Sequence, residues 1–244
     1  MTAKKPKAAP QKRLVKTGIE GFDKLVGGGL PAGKCVLLSG TPGTGKTIFS
    51  LQYLYKGAKE HGEKGLYITF EESASNLKSQ AKAFGWDIDA MEKKGLMKLL
   101  SFPVKDLTEE TAQEIIKYAK NENVSRLVID SLSALAINVP TTQVSLTSIT
   151  HLYIQRFIYG FINDLRSLPD TTTLLVSQST DGKLSSDGVS EYVADGILHL
   201  KYETMGADYS RHLTVRKMRE TKNDEDIHPV EIGPEGIVIH SYED

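Results

Sequence analysis

The chain has 244 residues, 39% hydrophobic and 25% charged, an ordinary globular composition with enough length to bury a sizeable core. Thirty lysines and arginines against 31 aspartates and glutamates leave a net charge of −1, so no global basic field points to nucleic acid or an anionic membrane. The one cysteine, Cys35, excludes an internal disulfide, no apolar run approaches the ~20 residues that cross a bilayer, and the N-terminus lacks the apolar core of a signal peptide, so a cytoplasmic protein is expected.

Residues 1–14 carry Lys4, Lys5, Lys7, Lys12 and Arg13 with almost no large apolar side chain, and are expected to be a flexible basic tail. No Pro/Ser/Gly-rich linker divides the remainder, which is expected to be one domain over 15–244. Short apolar runs at 36–39, 66–70, 97–100, 126–129 and 173–176 read as buried strands, several bounded by turn residues. Stretches with apolar residues three to four apart, 46–61, 75–84, 108–121 and 153–168, read as helices between them. The alternation predicts an α/β fold on a mainly parallel sheet. Past Asp195 the runs 196–200 and 211–215, separated by a turn-prone stretch at 205–208, predict an antiparallel C-terminal extension.

The strongest chemical signal is Gly40-Thr41-Pro42-Gly43-Thr44-Gly45-Lys46-Thr47, which meets the phosphate-loop pattern G-x-x-x-x-G-K-[ST] in full, with a strand before it and a helix after. Glycines let the loop turn tightly so that the N–H groups from Thr41 to Ile48, Pro42 having none, face phosphate oxygens, and the helix adds its positive end. Lys46 is expected to reach the β- and γ-phosphates of ATP, and Thr47 to offer its hydroxyl to Mg²⁺. Asp130 ends the apolar strand Leu127-Val128-Ile129 and is the matching metal-side carboxylate. Glu71 and Glu72 follow Tyr67-Ile68-Thr69-Phe70 directly. They read either as the carboxylates that orient or deprotonate water beside the γ-phosphate, or as an acidic turn ahead of a helix capped at Ser73. Gln178 ends a strand expected to lie beside that of Asp130, where its amide would sense the γ-phosphate or simply close the strand. Lys217 and Arg219 alternate with Met218, and are either solvated cations or fingers offered to a phosphate across a subunit boundary. The six histidines show no metal-ligand spacing.

Taken together, Thr17-Gly18-Ile19-Glu20-Gly21-Phe22-Asp23, Gly28-Gly29-Leu30-Pro31, the phosphate loop, Phe70-Glu71-Glu72, Phe84-Gly85-Trp86-Asp87, Asp130-Ser131-Leu132 and Lys217-Met218-Arg219 resemble the KaiC-like branch of the RecA-superfamily ATPases, over about 16–239. The resemblance implies a RecA-like fold, a catalytic glutamate pair at Glu71 and Glu72, Mg²⁺ at Thr47 and Asp130, and a hexameric ring in which Lys217 and Arg219 reach the neighbour's ATP. Two departures stand out. Glu191-Tyr192 replaces the adjacent Ser-Thr pair that accepts phosphate in part of the family, and Arg219-Glu220-Thr221 replaces Arg-Gly-Thr.

The expected function is a ring-forming, Mg²⁺-dependent ATPase acting in signalling or partner assembly, its protein partner unspecified. One alternative is a nucleic-acid-associated ATPase like a RadA paralogue; another is a nucleotide-gated assembly protein like the archaeal motility accessory ATPase. Nucleic acid is disfavoured because 127–155 contains no lysine or arginine, and 179–195 sets only Lys183 against Asp181, Asp187, Glu191 and Asp195.

Overall fold

The computed structural model describes residues 13–103, 108–137, 147–180, 182–205 and 208–241. In chain order they form β1 (Leu14–Val15), α1 (Phe22–Leu25), β2 (Leu30–Pro31), β3 (Cys35–Gly40), α2 (Lys46–His61), β4 (Gly65–Thr69), α3 (Ala74–Ala83) and α4 (Ile88–Lys93). There follow β5 (Met97–Ser101), α5 (Glu109–Asn121), β6 (Arg126–Asp130), α6 (Leu132–Ile137), α7 (Thr147–Leu165) and β7 (Thr172–Gln178). The chain closes with α8 (Ser190–Val193), β8 (Gly196–Met205), β9 (Asp208–Met218), β10 (Ile227–Gly233) and β11 (Gly236–Ile239).

The short apolar runs become strands because both of their faces are buried. In β3, Val36 and Leu38 enter one core while Cys35 and Leu37 enter the other; in β6, Val128 faces the first and Leu127 and Ile129 the second. Nine of these strands lie in one sheet ordered β11-β10-β9-β8-β3-β7-β6-β4-β5, while β1 and β2 pair in a separate two-stranded sheet. Every pairing from β8 to β5 is parallel, and those through β9, β10 and β11 are antiparallel, as the sequence predicts. Helix α2 fills the first core, and α5 and α7 the second. Strand β7 lies beside β6, with Val176 opposite Asp130, so Gln178 falls at the same sheet edge as that carboxylate.

Some elements differ from the sequence reading. The hairpin β10–β11 was not expected, although Gly233, Pro234 and Gly236 punctuate two apolar runs there; Pro229 within the first run masks it. Helix α7 spans Thr147–Leu165 rather than 153–168. Helix α5 starts as its residues suggest, the Thr108 hydroxyl accepting from the Thr111 N–H at 3.2 Å. Of the expected tail, residues 1–12 fall outside the described ones, while the Arg13 carbonyl accepts from Ala32 at 3.0 Å and Leu14 pairs with Pro31. The turn at 206–207 also falls outside the described residues.

At the start of β6, Arg126 is fully buried. Its guanidinium donates to Glu63 Oε2 at 2.6 Å, the Tyr53 carbonyl at 2.7 Å and the Lys16 carbonyl at 2.7 Å, and lies 4.7 Å from the Tyr53 ring centroid. Helix α2 approaches closely enough only because it carries Gly57, where a Cβ would stand 2.2 Å from Arg126 Nε. Breaking a buried pair by removing one partner strands the other charge and typically costs about 3–5 kcal/mol. Arg126→Ala should therefore lower the thermal midpoint sharply in calorimetry, and an unchanged midpoint would contradict this account of the α2–β6 contact.

Candidate functional site

At the edge where β3, β4, β6 and β7 end, the loop between β3 and α2 frames a cavity of about 330 Å³. Pro42, Gly43, Gly45, Lys46, Thr47 and Ile48 form one wall, and Glu71, Asp130 and Gln178 close it from the neighbouring strand ends. Nine of the sequence-selected positions thus converge on one space. Gly45, the residue before α2, has φ 100°, and a Cβ there would press to 3.2 Å from Ile232 Cδ1, so this turn requires glycine.

The loop is braced from within. Lys46 Nζ donates to the carbonyls of Gly40 at 2.7 Å and Thr41 at 2.9 Å, and the Thr44 hydroxyl donates to the Thr41 carbonyl at 2.9 Å. Thr44 is therefore a buried loop brace, and Thr41 belongs to the wall of an adjacent depression rather than to this cavity. Burial lowers the Lys46 pKa, while Asp130 and then Glu71 oppose that shift and favour its charge.

Asp130 accepts from the Tyr67 hydroxyl and, at 3.5 Å, from the Thr47 hydroxyl. Part of the residue still faces the cavity, but protein surrounds its carboxylate on the other sides. Loss of hydration pushes its pKa up to about 6, against the lowering by the Tyr67 hydrogen bond, with Glu71 raising it further and Lys46 lowering it. Burial likewise pushes the Tyr67 phenol well up, so this hydroxyl stays a donor.

The two glutamates part company. Glu71 lines the cavity and accepts from the Ser131 hydroxyl, whereas Glu72 turns away to accept from Gln80 Nε2 at 2.6 Å, and its backbone N–H is held by Thr69 Oγ1 at 3.0 Å. Gln80, from α3, itself lines the cavity and so links Glu72 to it indirectly. Ser73 does cap α3, accepting from the Asn76 N–H at 3.2 Å, so the helix-start reading of this turn holds. The Gln178 N–H donates to Ser133 Oγ at 3.2 Å, which fixes the strand end.

Lys217 and Arg219 stand elsewhere. Because β9 runs antiparallel, with Met218 opposite Gly196 and Gly196 opposite Val36, they lie at the sheet edge remote from Gly40. They are not simply solvated. Lys217 Nζ donates to the Ala194 carbonyl at 2.6 Å, and Arg219 reaches Asp195 Oδ1 at 3.3 Å, both just past α8. Burial and then Arg219 lower the Lys217 pKa. Glu220, in place of the glycine that the resemblance implies, sits at φ 65° and pairs with Lys34 at 3.0 Å.

One cation in the cavity was missed from sequence. Arg211 of β9 donates from Nε to the Gly43 carbonyl at 3.1 Å and stacks 4.5 Å from the Tyr202 ring centroid. Its position 168 residues from Gly43 leaves no local pattern, and only the antiparallel pairing of β8 and β9 delivers it.

The cavity thus combines the backbone of a glycine-rich loop, a lysine, a hydroxyl and two carboxylates with hard oxygen donors, a set suited to phosphate and a small divalent cation. Comparison with known proteins agrees with that chemistry. The KaiC ATPase family matches residues 15–244. The UPF0273 protein of Aeropyrum pernix is 35% identical, covering 93% of each chain, and that of Thermotoga maritima is 34% identical, covering 95% of this chain and 97% of its own. The circadian clock oscillator protein KaiC of Prochlorococcus marinus is 32% identical over 94% of this chain, which spans 45% of that longer protein. The crystal structure of a KaiC-like protein from Pyrococcus horikoshii superposes with a TM-score of 0.80 at 36% identity, covering 95% of this chain and 100% of that one.

Asp130 yields a pH test. A carboxyl that holds its proton more tightly folded than unfolded weakens the fold as pH rises from its unfolded pKa of about 4 to its folded value of about 6, and at higher pH the cost is constant at about 3 kcal/mol. Asp130→Asn keeps an acceptor for Tyr67 and should stabilise the nucleotide-free protein above pH ~6. The gain should fade as pH falls toward ~4. Thermal melts of both proteins across that range check it, and a gain independent of pH would refute the assignment.

Proposed function

This chain belongs to the KaiC family of ATPases, and we propose that it binds Mg·ATP in the cavity between β3, β4 and β6, hydrolyses it, and does so as one subunit of a ring acting in signalling or partner assembly. The observation that carries this reading is the meeting of Lys46, Thr47, Asp130 and Glu71 around one cavity at the amino end of α2.

Each residue has a task that follows from its surroundings. The amides of the loop and the positive end of α2 receive the phosphate oxygens. Lys46, which rests on two carbonyls, exchanges them for β- and γ-phosphate oxygens, a stronger charge-assisted contact. Asp130 and Thr47 would hold Mg²⁺, a fit supported by a desolvated carboxylate that lacks a full counter-charge. When bound, Mg²⁺ offsets the negative charge of the phosphates. Glu71, steadied by the Ser131 hydroxyl, orients water and accepts its proton, while Glu72 acts through Gln80 as a positioning residue. Gln178 faces the γ-phosphate end, and Arg211 ties the loop to β9.

Lys217 and Arg219 cannot serve their own subunit's cavity from the opposite sheet edge, which favours action across a boundary. Their carbonyl and carboxylate partners around α8 hold them in place until a neighbour's nucleotide arrives.

Three variants test the assignment. Lys46→Ala should abolish ATP binding in calorimetry. Glu71→Gln should bind ATP normally yet release phosphate about 10²–10⁴-fold more slowly. Glu72→Gln should fall between wild type and Glu71→Gln. Unchanged phosphate release by Glu71→Gln would remove it from the chemistry.

A further inference from the structure

The β8–β9 hairpin has one face in the core, through Leu198, Leu200, Leu213 and Val215, and turns His199, Lys201 and Glu203 to the other. There they meet Arg216 of β9 and Lys183 of the β7–α8 loop around a depression of about 450 Å³, bordered by the hydroxyl-bearing Ser179 and Thr180. Thr41, one residue past the end of β3, sits on its rim.

Among the described residues the lining carries more cations than carboxylates. Glu203 is the one carboxylate of the described lining, and it is already committed, accepting from Lys201 Nζ at 2.9 Å with His212 Nε2 3.6 Å away. Among the described residues no carboxylate forms an ion pair with Lys183 or Arg216. At His199 the cations add to an effect that begins with burial. Burial first, then Lys201, Arg216 and His212, bring its pKa down to about 4, with Glu203 alone acting the other way.

We propose that this depression is a second anion site, separate from the nucleotide cavity, which takes a phosphate group through Lys183, Lys201 and Arg216 with the Ser179 and Thr180 hydroxyls as neutral donors. Its residues lie outside the nucleotide cavity, so the proposal does not depend on the function assigned there. It also revises the charge count of the sequence. The loop over 179–195 is poor in cations, but β8 and β9 beside it supply Lys201 and Arg216, which no count by loop includes. The phosphate is either free or carried on a polynucleotide, and the test separates the two.

The test follows the His199 imidazole by proton NMR, its signal identified by its loss in His199→Gln, in the full chain carrying Lys46→Ala so that the phosphate loop is disabled. Titration with pyrophosphate, and separately with a short oligothymidylate, should raise the His199 pKa by about one unit or more, a tenfold change in proton affinity. Adding Lys201→Gln and Arg216→Gln, both near the surface, should abolish the response without altering the thermal midpoint. A response to pyrophosphate alone assigns free phosphate, and one to the oligonucleotide alone assigns a polynucleotide; either supports the site. No response to either probe overturns it, as does a response that survives loss of both cations.

Discussion

Helix α2 is pinned along β6 at both ends by charged groups largely withdrawn from water, and the candidate site depends on that pinning. At one end Arg126 is buried against the Tyr53 carbonyl and the flank of Gly57. At the other, Asp130 faces Thr47 and Lys46 in the first turn of the same helix. A buried charge without a partner is costly, so each end tolerates little displacement of helix against strand. The consequence is a fixed distance between the phosphate loop and the carboxylate opposite it, which is what a phosphate-and-cation site needs.

The two ends do different work. Arg126 is fully satisfied, with its donors spent on a carboxylate and two carbonyls, and it acts as a structural anchor. Asp130 is left under-compensated, its pKa raised first by burial, which suits the role proposed for it beside a cation. The same strand therefore stabilises the fold at its start and carries strain in the form of desolvation at its end. Parallel topology then gathers the other groups, because β3, β4, β6 and β7 all finish at one edge and bring Glu71 and Gln178 with them.

Much of this was legible in the sequence. The phosphate loop, Asp130 and Glu71 each sit directly after an apolar run, so strand-end placement could be read from the run itself. The position of Gln178 beside Asp130 followed from chain order and was found. What could not be read depends on distant pairing or on surroundings. Arg211 enters the cavity only through the β8–β9 register, and Gln80 only through the packing of α3. Arg126 looks like an ordinary strand-opening cation until Gly57 and Glu63 close over it. The separation of Glu71 from Glu72 arises from side-chain partners on two different elements, Ser131 and Gln80, which spacing does not encode.

The central claim is that each cavity is one half of a composite site whose other half comes from the next subunit. Mixing two inactive chains tests it most directly. Lys46→Ala retains Lys217 and Arg219 but has a disabled loop, while Arg219→Ala retains the loop but lacks the finger. ATP turnover by an equimolar mixture should exceed that of either variant alone, because some boundaries then join an intact loop to an intact finger. Turnover no greater than the average of the two separate proteins would contradict the account.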